Sequence, residues 1–299
     1  ARQPSAVGVI CVGRDFMVRI VTDSTSDLPS ELAKQLGIRI VPLRVIFGTE
    51  SLRDGVDITP DVFFTRLKTG PILPTTSQPS PADFQAVFKE AIQAGEEIVC
   101  LTISAALSGT YLSATMAKES FLNSPISVID TRTTSMALGM LAEEAARMAM
   151  AGATRQQIVA HVEKLIPLTH VLFTVDTLEY LQRGGRIGGA QALLGTLLNI
   201  KPLLTLRDGR VEPVERIRTK RKALDRMIEI AVQRTRETGY TYRVAVVHGQ
   251  APDEAVYVAN RAREQIRCAS LHQSEVGPVI GTHVGPGVVG LAFMPILSD

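Results

Sequence analysis

Residues 18–28 read Val-Arg-Ile-Val-Thr-Asp-Ser-Thr-Ser-Asp-Leu, an apolar run that ends abruptly in hydroxyl and carboxyl side chains. The β-branched residues at its start predict a strand over residues 18–22. Similar runs recur at residues 98–103 and 126–130, and each is apolar on both faces. Strands of this kind are typical of a parallel sheet that helices cover on both sides, because neither face then meets water.

Helical patterns fill the intervals between these strands. Helices are predicted to begin at Pro60 and Pro81, where proline suits the first turn, and to end near Gly37 and Gly70. The alternation predicts an α/β domain whose mainly parallel N-terminal sheet is covered by helices on both faces. Two more helices are predicted to close this domain, over residues 134–150 and 154–166.

The second half of the chain has a different pattern. Asp208-Gly209 lies between two apolar runs and predicts a β-hairpin, because glycine supplies the positive φ that the turn needs. Two further helices, over residues 220–238 and 252–265, are predicted to bracket a strand over residues 244–247. This half is therefore predicted to be a smaller C-terminal α+β domain.

The predicted organisation has three parts. An α/β domain spans residues 17–167, with its boundary near Pro167, and the α+β domain spans residues 168–299. Residues 1–16 form an N-terminal extension that we expect to be non-native, because Met17 opens the first strand directly.

Composition excludes several classes of protein. The formal net charge is +2, and the basic residues are spread among acidic ones, which argues against nucleic-acid binding. Cys11, Cys100 and Cys268 lie far apart without a Cys-x-x-Cys pair, so we expect free thiols, no metal site and a cytoplasmic location. No run approaches the ~20 apolar residues that a membrane-spanning helix requires.

The polar residues that follow the first strand, from Thr22 to Asp27, are a first candidate site. In parallel sheets, ligands collect at the carboxyl ends of strands, where free amides and helix amino ends converge. Asp27 is alternatively predicted to cap a helix that starts through Pro29, and capping alone explains the acids and hydroxyls. Both interpretations are open from the sequence.

Residues 75–79 read Thr-Thr-Ser-Gln-Pro and are predicted to form a loop between two helices, stiffened by Pro74 and Pro81. Several hydroxyl donors in one place suit an anion. A capped connection that uses Ser80 for the next helix explains the same residues, so the segment is ambiguous.

Residues 104–110 read Ser-Ala-Ala-Leu-Ser-Gly-Thr and follow the predicted strand at 98–103. Gly109 permits close backbone approach, and Ser108 is placed to begin a helix whose amino end attracts carboxylates. Ser108 is alternatively a nucleophile, although the segment lacks the Gly-x-Ser-x-Gly elbow of α/β hydrolases.

Three further segments carry basic or imidazole side chains. Residues 183–189 are rich in glycine but match no nucleotide-binding motif, and their arginines suit either an anion or a solvated turn. The basic run at residues 216–226 either docks an anionic partner or is a solvated helix face. His283 lies among glycines in residues 281–287, which favours a hydrogen-bonding role over a packed core position.

Seven landmarks together resemble the DegV family of bacterial fatty-acid-binding proteins, over residues 17–293. In chain order they are Thr22-Asp-Ser-Thr-Ser-Asp-Leu28, Thr76-Ser-Gln-Pro79, Leu107-Ser-Gly-Thr-Tyr111, Leu178-Glu-Tyr-Leu-Gln-Arg-Gly-Gly-Arg-Ile187, Lys201-Pro202, Arg218-Thr219 and Gly281-Thr-His-Val-Gly-Pro-Gly287. No single landmark is specific, but seven in the family's order are.

The resemblance implies a two-domain protein with an apolar tunnel for one long-chain fatty acid, such as palmitate or stearate. It implies that Thr76, Ser108, Gly109 and His283 bind the carboxylate at the domain junction. The α/β domain would contribute the carboxylate-binding loops, and the α+β domain the histidine loop and the basic residues. The fatty acid is then a ligand, and no cofactor is expected.

The resemblance also implies a partner. Arg186 and Arg218 are similar to arginines associated with phosphate transfer from a separate ATP-dependent fatty acid kinase, so the chain itself would have no catalytic residue. Asp23, Ser24 and Ser77 are further head-group candidates. We expect a monomer that makes transient contact with membranes.

Two other functions are open from the sequence. A stand-alone serine esterase or acyl-phosphate hydrolase would use Ser108 or Ser104 with His283 and an acid such as Asp130. A regulatory protein would instead bind lipid only as a signal.

Overall fold

The computed structural model describes residues 17–195 and 200–297. The predicted extension over residues 1–16 lies outside the described residues. The strands are β1 Val18–Asp23, β2 Arg39–Val41, β3 Arg44–Phe47, β4 Glu50–Arg53, β5 Thr75–Ser77, β6 Glu97–Thr102, β7 Ile126–Asp130, β8 His170–Thr174, β9 Lys201–Arg207, β10 Arg210–Ile217, β11 Tyr242–His248, β12 Cys268–Glu275 and β13 Val289–Pro295.

The α-helices alternate with the strands in the first half and enclose the sheet of the second. They are α1 Ser30–Gln35, α2 Pro60–Thr69, α3 Pro81–Gln93, α4 Thr110–Glu119, α5 Ser135–Met150, α6 Arg155–Leu165, α7 Glu179–Arg183, α8 Lys220–Arg236, α9 Pro252–Gln265 and α10 Pro278–Val284. No helix in these ranges combines the length and apolar character that a bilayer span requires.

The N-terminal sheet is wholly parallel, with strand order β2-β1-β6-β7. The three strands predicted from the sequence are confirmed as β1, β6 and β7, and the predicted starts at Pro60 and Pro81 are confirmed. Helices flank this sheet, as its doubly apolar strands predict.

A second, three-stranded antiparallel sheet of order β4-β3-β5 was not predicted. Thr76 pairs with Val45 across β5 and β3, so the prediction of a loop at residues 75–79 was wrong. The strand is only three residues long and lies at the edge of its sheet, so its sequence carries no alternation that reveals it. Its partner comes from a distant hairpin.

The C-terminal half contains a six-stranded mixed sheet of order β10-β9-β8-β13-β11-β12. The predicted hairpin at Asp208-Gly209 is confirmed by the antiparallel pairing of β9 with β10. Strand β13 was missed, although all its residues are buried. A continuous apolar run does not by itself distinguish a central strand from a buried helix.

Helix α5 lies between the two large sheets, because it packs against β1 on one side and against β11 and β13 on the other. Met136, Leu138 and Leu141 are fully buried, and most of the helix is apolar around its circumference. A helix of this composition is stable only when it is enclosed. The buried cluster around α5 joins the two halves of the chain.

Glu143 is the charged exception on α5, with a side chain only 1% exposed. It accepts hydrogen bonds from Arg147 on its own helix, and it pairs with Arg243 of β11 at 3.3 Å and His272 of β12 at 3.1 Å. Burial alone would raise the pKa of Glu143, but hydrogen bonds from His272 and Arg147 lower it below its usual value. The carboxylate therefore ties the central helix to the C-terminal sheet.

We expect Glu143→Ala to lower the free energy of unfolding by about 2 kcal/mol, because it removes a buried acceptor that Arg147 and His272 share and leaves Arg243 with Glu144 as its remaining partner. In the native protein this contribution is present above the unfolded pKa of 4.5 and is lost as pH falls through the lower folded pKa. Urea unfolding at pH 7 and at pH 4 measures both effects. The exposed Glu163→Ala is the control, and equal midpoints for the two variants would contradict the prediction.

Candidate ligand-binding cavity

A cavity of about 320 Å³ lies between the C-terminal sheet, the start of α5 and helix α10. Thr76, Ser108, Arg186 and His283 all line it, although they lie far apart in the sequence. Gly109 stands immediately behind them, since a Cβ added there would meet the side chain of Gln78, which also lines the cavity. The structure thus brings together five of the six residues singled out for the ligand and phosphate transfer.

Arg218 is the exception. It is exposed in the turn between β10 and α8 and does not line the cavity. Part of the basic run around it forms ion pairs with neighbouring acids. Lys220 bonds Asp176, and Arg226 bonds both Glu215 and Glu229.

His283 is the penultimate residue of α10, and its Nε2 lies 2.9 Å from Thr76 Oγ1. Burial, with a contribution from the Arg186 charge, lowers the pKa of His283 to about 4. The imidazole is therefore neutral at pH 7 and offers one donor and one acceptor. Its Nδ1 is buried without a hydrogen-bond partner among the described residues.

Gly184 lies directly against this imidazole. A Cβ at position 184 would overlap His283 Nδ1, so only glycine allows the α7 end to approach so closely. Arg186 bridges the neighbouring segments: its Nε donates to Leu107 O at 3.0 Å and its Nη1 to Gly184 O at 2.6 Å. The glycine-rich segment is thus a support for the histidine and the Ser108 loop.

Ser108 lies just before α4, whose amino-terminal cap is Gly109 rather than Ser108 itself. Ser108 Oγ is 2.8 Å from Thr110 Oγ1 and accepts from Thr110 N at 3.3 Å. The hydroxyl is held at the helix entry, where backbone amides favour negative charge. Ser108 and His283 therefore bond to different partners.

The remaining wall of the cavity is mainly apolar. The C-terminal sheet contributes side chains from its inner face, and α5 and α10 contribute the opposite side. These residues include Val171, Phe173, Leu206, Val211, Val247, Ala292, Met136, Ala137, Val279, Ile280 and Val284. The chamber is polar around Thr76 and His283 and mainly apolar elsewhere. This arrangement suits an amphipathic acid.

A smaller chamber of about 300 Å³ lies on the outer side of the same polar residues. Thr76, Arg186 and His283 line both chambers, and Arg183 and Tyr180 line only the outer one. These three shared residues therefore lie between a mainly apolar inner cavity and an outer chamber that carries two arginines.

A model of the DegV family, described as "Uncharacterised protein, DegV family", matches residues 17–295. The chain belongs to the DegV family. A DegV domain-containing protein of Streptomyces coelicolor is 44% identical over 277 residues, which cover 92% of this chain and 97% of that protein. A DegV domain-containing protein of Deinococcus radiodurans is 40% identical and covers 93% of this chain and 99% of its own.

Solved DegV structures share the architecture. A fatty-acid-binding DegV family protein from Thermus thermophilus has a TM-score of 0.90 and 38% identity, covering 94% of this chain and 100% of its own. DegV of Bacillus subtilis, described as a fatty acid binding protein, has a TM-score of 0.86 and 31% identity, with coverages of 94% and 100%. A stearic acid-binding protein from Eubacterium ventriosum has a TM-score of 0.86 and 29% identity, with coverages of 93% and 98%.

The secondary candidates of this DegV protein separate in the structure. Ser77 lines the cavity, whereas Asp23 and Ser24 do not. Asp23 caps the short 3₁₀ turn after β1 through Thr25 N, and Ser24 donates to Asp54. Capping therefore explains Asp23, and the hydrogen bond to Asp54 explains Ser24.

The prediction that Asp27 caps α1 was wrong, because the cap of that helix is Pro29. Asp27 has a φ of 50° and directs its carboxylate across the fold to Gly277 and Ser135. Gln78 and Ser135 are lining residues that sequence reasoning missed. Gln78 stands inside the Thr76–Pro79 landmark, whereas no local pattern marks Ser135.

We expect Gly184→Ala to displace the His283 ring and to destabilise the fold by about 1–3 kcal/mol, the usual cost of forcing extra atoms into a packed site. The matched control is the same substitution in a His283→Ala background, where the overlap is absent. Urea unfolding of the four proteins forms a double-mutant cycle. Additive losses would show that the two positions do not interfere.

Proposed function

We propose that this protein binds one long-chain fatty acid, such as palmitate or stearate, and orients its carboxylate toward Thr76, Ser108, Gly109 and His283. The observation that carries the proposal is that Thr76, Ser108 and His283, with Gly109 next to the lining residue Gln78, meet at a cavity whose remaining wall is mainly apolar. It is supported by the relatives from Thermus thermophilus, Bacillus subtilis and Eubacterium ventriosum, which are described as binding fatty acid or stearic acid.

The apolar tail supplies most of the affinity in this proposal. A chain of ~15 methylenes gains on the order of 12 kcal/mol on burial, at roughly 0.8 kcal/mol per methylene, before the costs of ordering and association. The head group contributes orientation rather than bulk affinity. Burying a carboxylate requires compensating donors, and hydroxyls with backbone amides supply them.

A neutral imidazole suits this arrangement. His283 can donate from one nitrogen and accept at the other, and Thr76 Oγ1 is already within hydrogen-bond distance of Nε2. Arg186, exposed at the rim, places positive charge near the carboxylate without burying it. The positive charge of Arg186 thereby attracts the fatty-acid carboxylate without forming a buried ion pair with it.

We further propose that the bound carboxylate is presented to a separate ATP-dependent fatty acid kinase, which forms the acyl phosphate. The outer chamber supports this, because it adjoins the head-group residues and carries Arg183 and Arg186. Guanidinium groups there suit the charge that develops on a transferred phosphoryl group. Arg218, on the exposed turn before α8, is assigned to the partner surface.

A serine hydrolase is not favoured by the geometry. In the described residues Ser108 bonds Thr110, Ser104 donates to Gly209 O at 2.8 Å, and His283 bonds Thr76. Nucleophilic catalysis needs a serine within hydrogen-bond reach of its base. Among residues 17–195 and 200–297, no serine forms such a hydrogen bond with a histidine. We therefore assign His283 to ligand binding.

Solvent extraction of the purified protein followed by lipid mass spectrometry should recover close to one fatty acid per chain. Thr76→Val and Ser108→Ala should each weaken the binding of an added fluorescent fatty acid about tenfold, because each removes a hydrogen bond to a charged group. The exposed Thr59→Val is the control. Lipid-free protein that also fails to bind added fatty acid would refute the proposal.

Acyl phosphate formation tests the partner. Fatty-acid-loaded protein, ATP and a purified fatty acid kinase should yield acyl hydroxamate when hydroxylamine is added, and omission of the kinase should abolish it. Arg186→Gln should slow the reaction at least tenfold, since it removes charge that stabilises the transition state, whereas the exposed Arg210→Gln should not. Hydroxamate formed without the kinase would contradict the carrier role.

A further inference from the structure

Two buried carboxylates from the first half of the chain hold the amino end of α10, the helix that carries His283. Gly277 N donates to Asp27 Oδ1 at 2.9 Å, and the Asp54 carboxylate faces the backbone N–H of Val279, which lowers the Asp54 pKa against the larger effect of burial. Both carboxylates surround the same glycine, because a Cβ at Gly277 would lie 3.0 Å from Asp27 Oδ1 and 3.1 Å from Asp54 Oδ1. The amino end of α10 is thus held by carboxylates from distant parts of the chain rather than by side chains of the helix itself.

Asp27 also reaches the wall of the ligand cavity. Ser135, which lines the cavity at the start of α5, donates its hydroxyl to Asp27 Oδ2. Asp27 and Ser135 have φ angles of 50° and 55°, a conformation that residues with a Cβ rarely adopt. Strained backbone of this kind persists only where surrounding contacts hold it and is concentrated at ligand sites. Here the hydrogen bond between Ser135 and Asp27 helps to hold both residues in this conformation.

The other end of α10 meets the proposed head group. Gly277 and His283 are six residues apart, about 9 Å along a helix at ~1.5 Å per residue. A helix this short moves as one body, so a shift at Gly277 displaces the imidazole. His283 Nε2 and Thr76 Oγ1, 2.9 Å apart, would lose their hydrogen-bond distance if the helix moved by a single ångström.

We propose that Asp27 and Asp54 are positioning residues: they set the place of His283 relative to Thr76 through α10, and they link that place to the cavity wall through Ser135. Neither carboxylate touches the ligand in this scheme. The inference rests on the proposed fatty-acid binding, and it adds which groups make the head-group site competent.

The position of α10 should depend on pH, because Asp27 and Asp54 are buried close to other negative charges. Burial raises the pKa of Asp27 to about 8 and that of Asp54 to about 7, and hydrogen bonds from Ser135 and Ser24 oppose this only partly. Asp23, whose pKa burial raises to about 6, adds a third negative charge. No Lys, Arg or His side chain bonds Asp27 or Asp54 among residues 17–195 and 200–297.

Other titratable groups of the described residues lie close to these carboxylates in the sequence. Arg53 and Asp57, on either side of Asp54 in the chain, form an exposed ion pair, and Glu275 ends β12 two residues before Gly277. His283, with a pKa of about 4, stays neutral from pH 6 to 9. Raised folded-state pKa values mean that the stabilising protons are lost as pH rises through about 7 and 8, so adjacent charges then repel around Gly277.

The test is fatty-acid affinity from pH 6 to 9, measured with a fluorescent fatty acid on the full chain. The native protein should lose about tenfold in affinity across this range, comparable to loss of a helix cap. Asp27→Asn keeps the shape without the charge, so its profile should be flatter. Asp27→Ala should bind about tenfold more weakly even at pH 6, because the cap is gone.

Asp57→Asn is the matched control, since it removes a carboxylate from the same region without touching α10, and its profile should follow the native one. Ionisation of the fatty acid itself is common to all variants and cancels in the comparison. The imidazole resonances of His283 should move between pH 7 and 8 in the native protein and move less in Asp27→Asn, in which only Asp54 of the pair still titrates. Should Asp27→Asn not fold, Asp54→Asn takes its place in both measurements.

Native affinity and pH profile in both Asp27→Ala and Asp27→Asn, with unmoved His283 resonances, would overturn the inference while leaving fatty-acid binding intact. A native protein that binds no fatty acid at any pH would instead overturn the proposed function. A fall in thermal stability of the Asp27 variants, without any change in affinity, pH profile or His283 signals, would show a merely structural role. That result would also overturn the positioning inference.

Discussion

The hydrogen bond between Thr76 and His283 joins positions 207 residues apart, and the site exists only because the fold holds them at that distance. Thr76 is placed by an edge strand of the small antiparallel sheet, and His283 by a seven-residue helix of the other half. Helix α5 is buried between the two large sheets and packs against both, so it fixes the position of one half of the chain relative to the other. The polar end of the cavity is therefore a property of the junction and not of either half.

Burial decides the electrostatics of this junction. It keeps His283 neutral, it raises the pKa of Asp27 and Asp54, and it leaves the arginines at the rim, where water still solvates them. Apart from Arg186 at the rim, the residues that line the cavity are thus uncharged at pH 7 in the part of the chain that the structure describes. This separation suits the proposed binding of a fatty acid, because an apolar interior accommodates the acyl chain and disfavours charge.

Much of the fold could be predicted because its strands and helices follow local rules. The doubly apolar runs at β1, β6 and β7, the prolines that open α2 and α3, and the glycine in the β9–β10 turn each act within a few residues. The short strand β5 and the buried strand β13 could not be recognised, since one is too short to show a pattern and the other has no polar face. Asp27 was assigned to a nearby helix although its partners are distant.

The sequence by itself determined the α/β class and the order of landmarks that marks the DegV family, and the family resemblance in turn implied Thr76, Ser108, Gly109, Arg186 and His283 as site residues. These features depend on near neighbours along the chain, so they can be read without coordinates. Only the tertiary structure decided that Gln78 and Ser135 join the cavity, that Arg218 stays outside it, and that Asp27 and Asp54 anchor the histidine helix. Contacts between distant segments depend on packing geometry and desolvation, and neither leaves a local pattern in the chain.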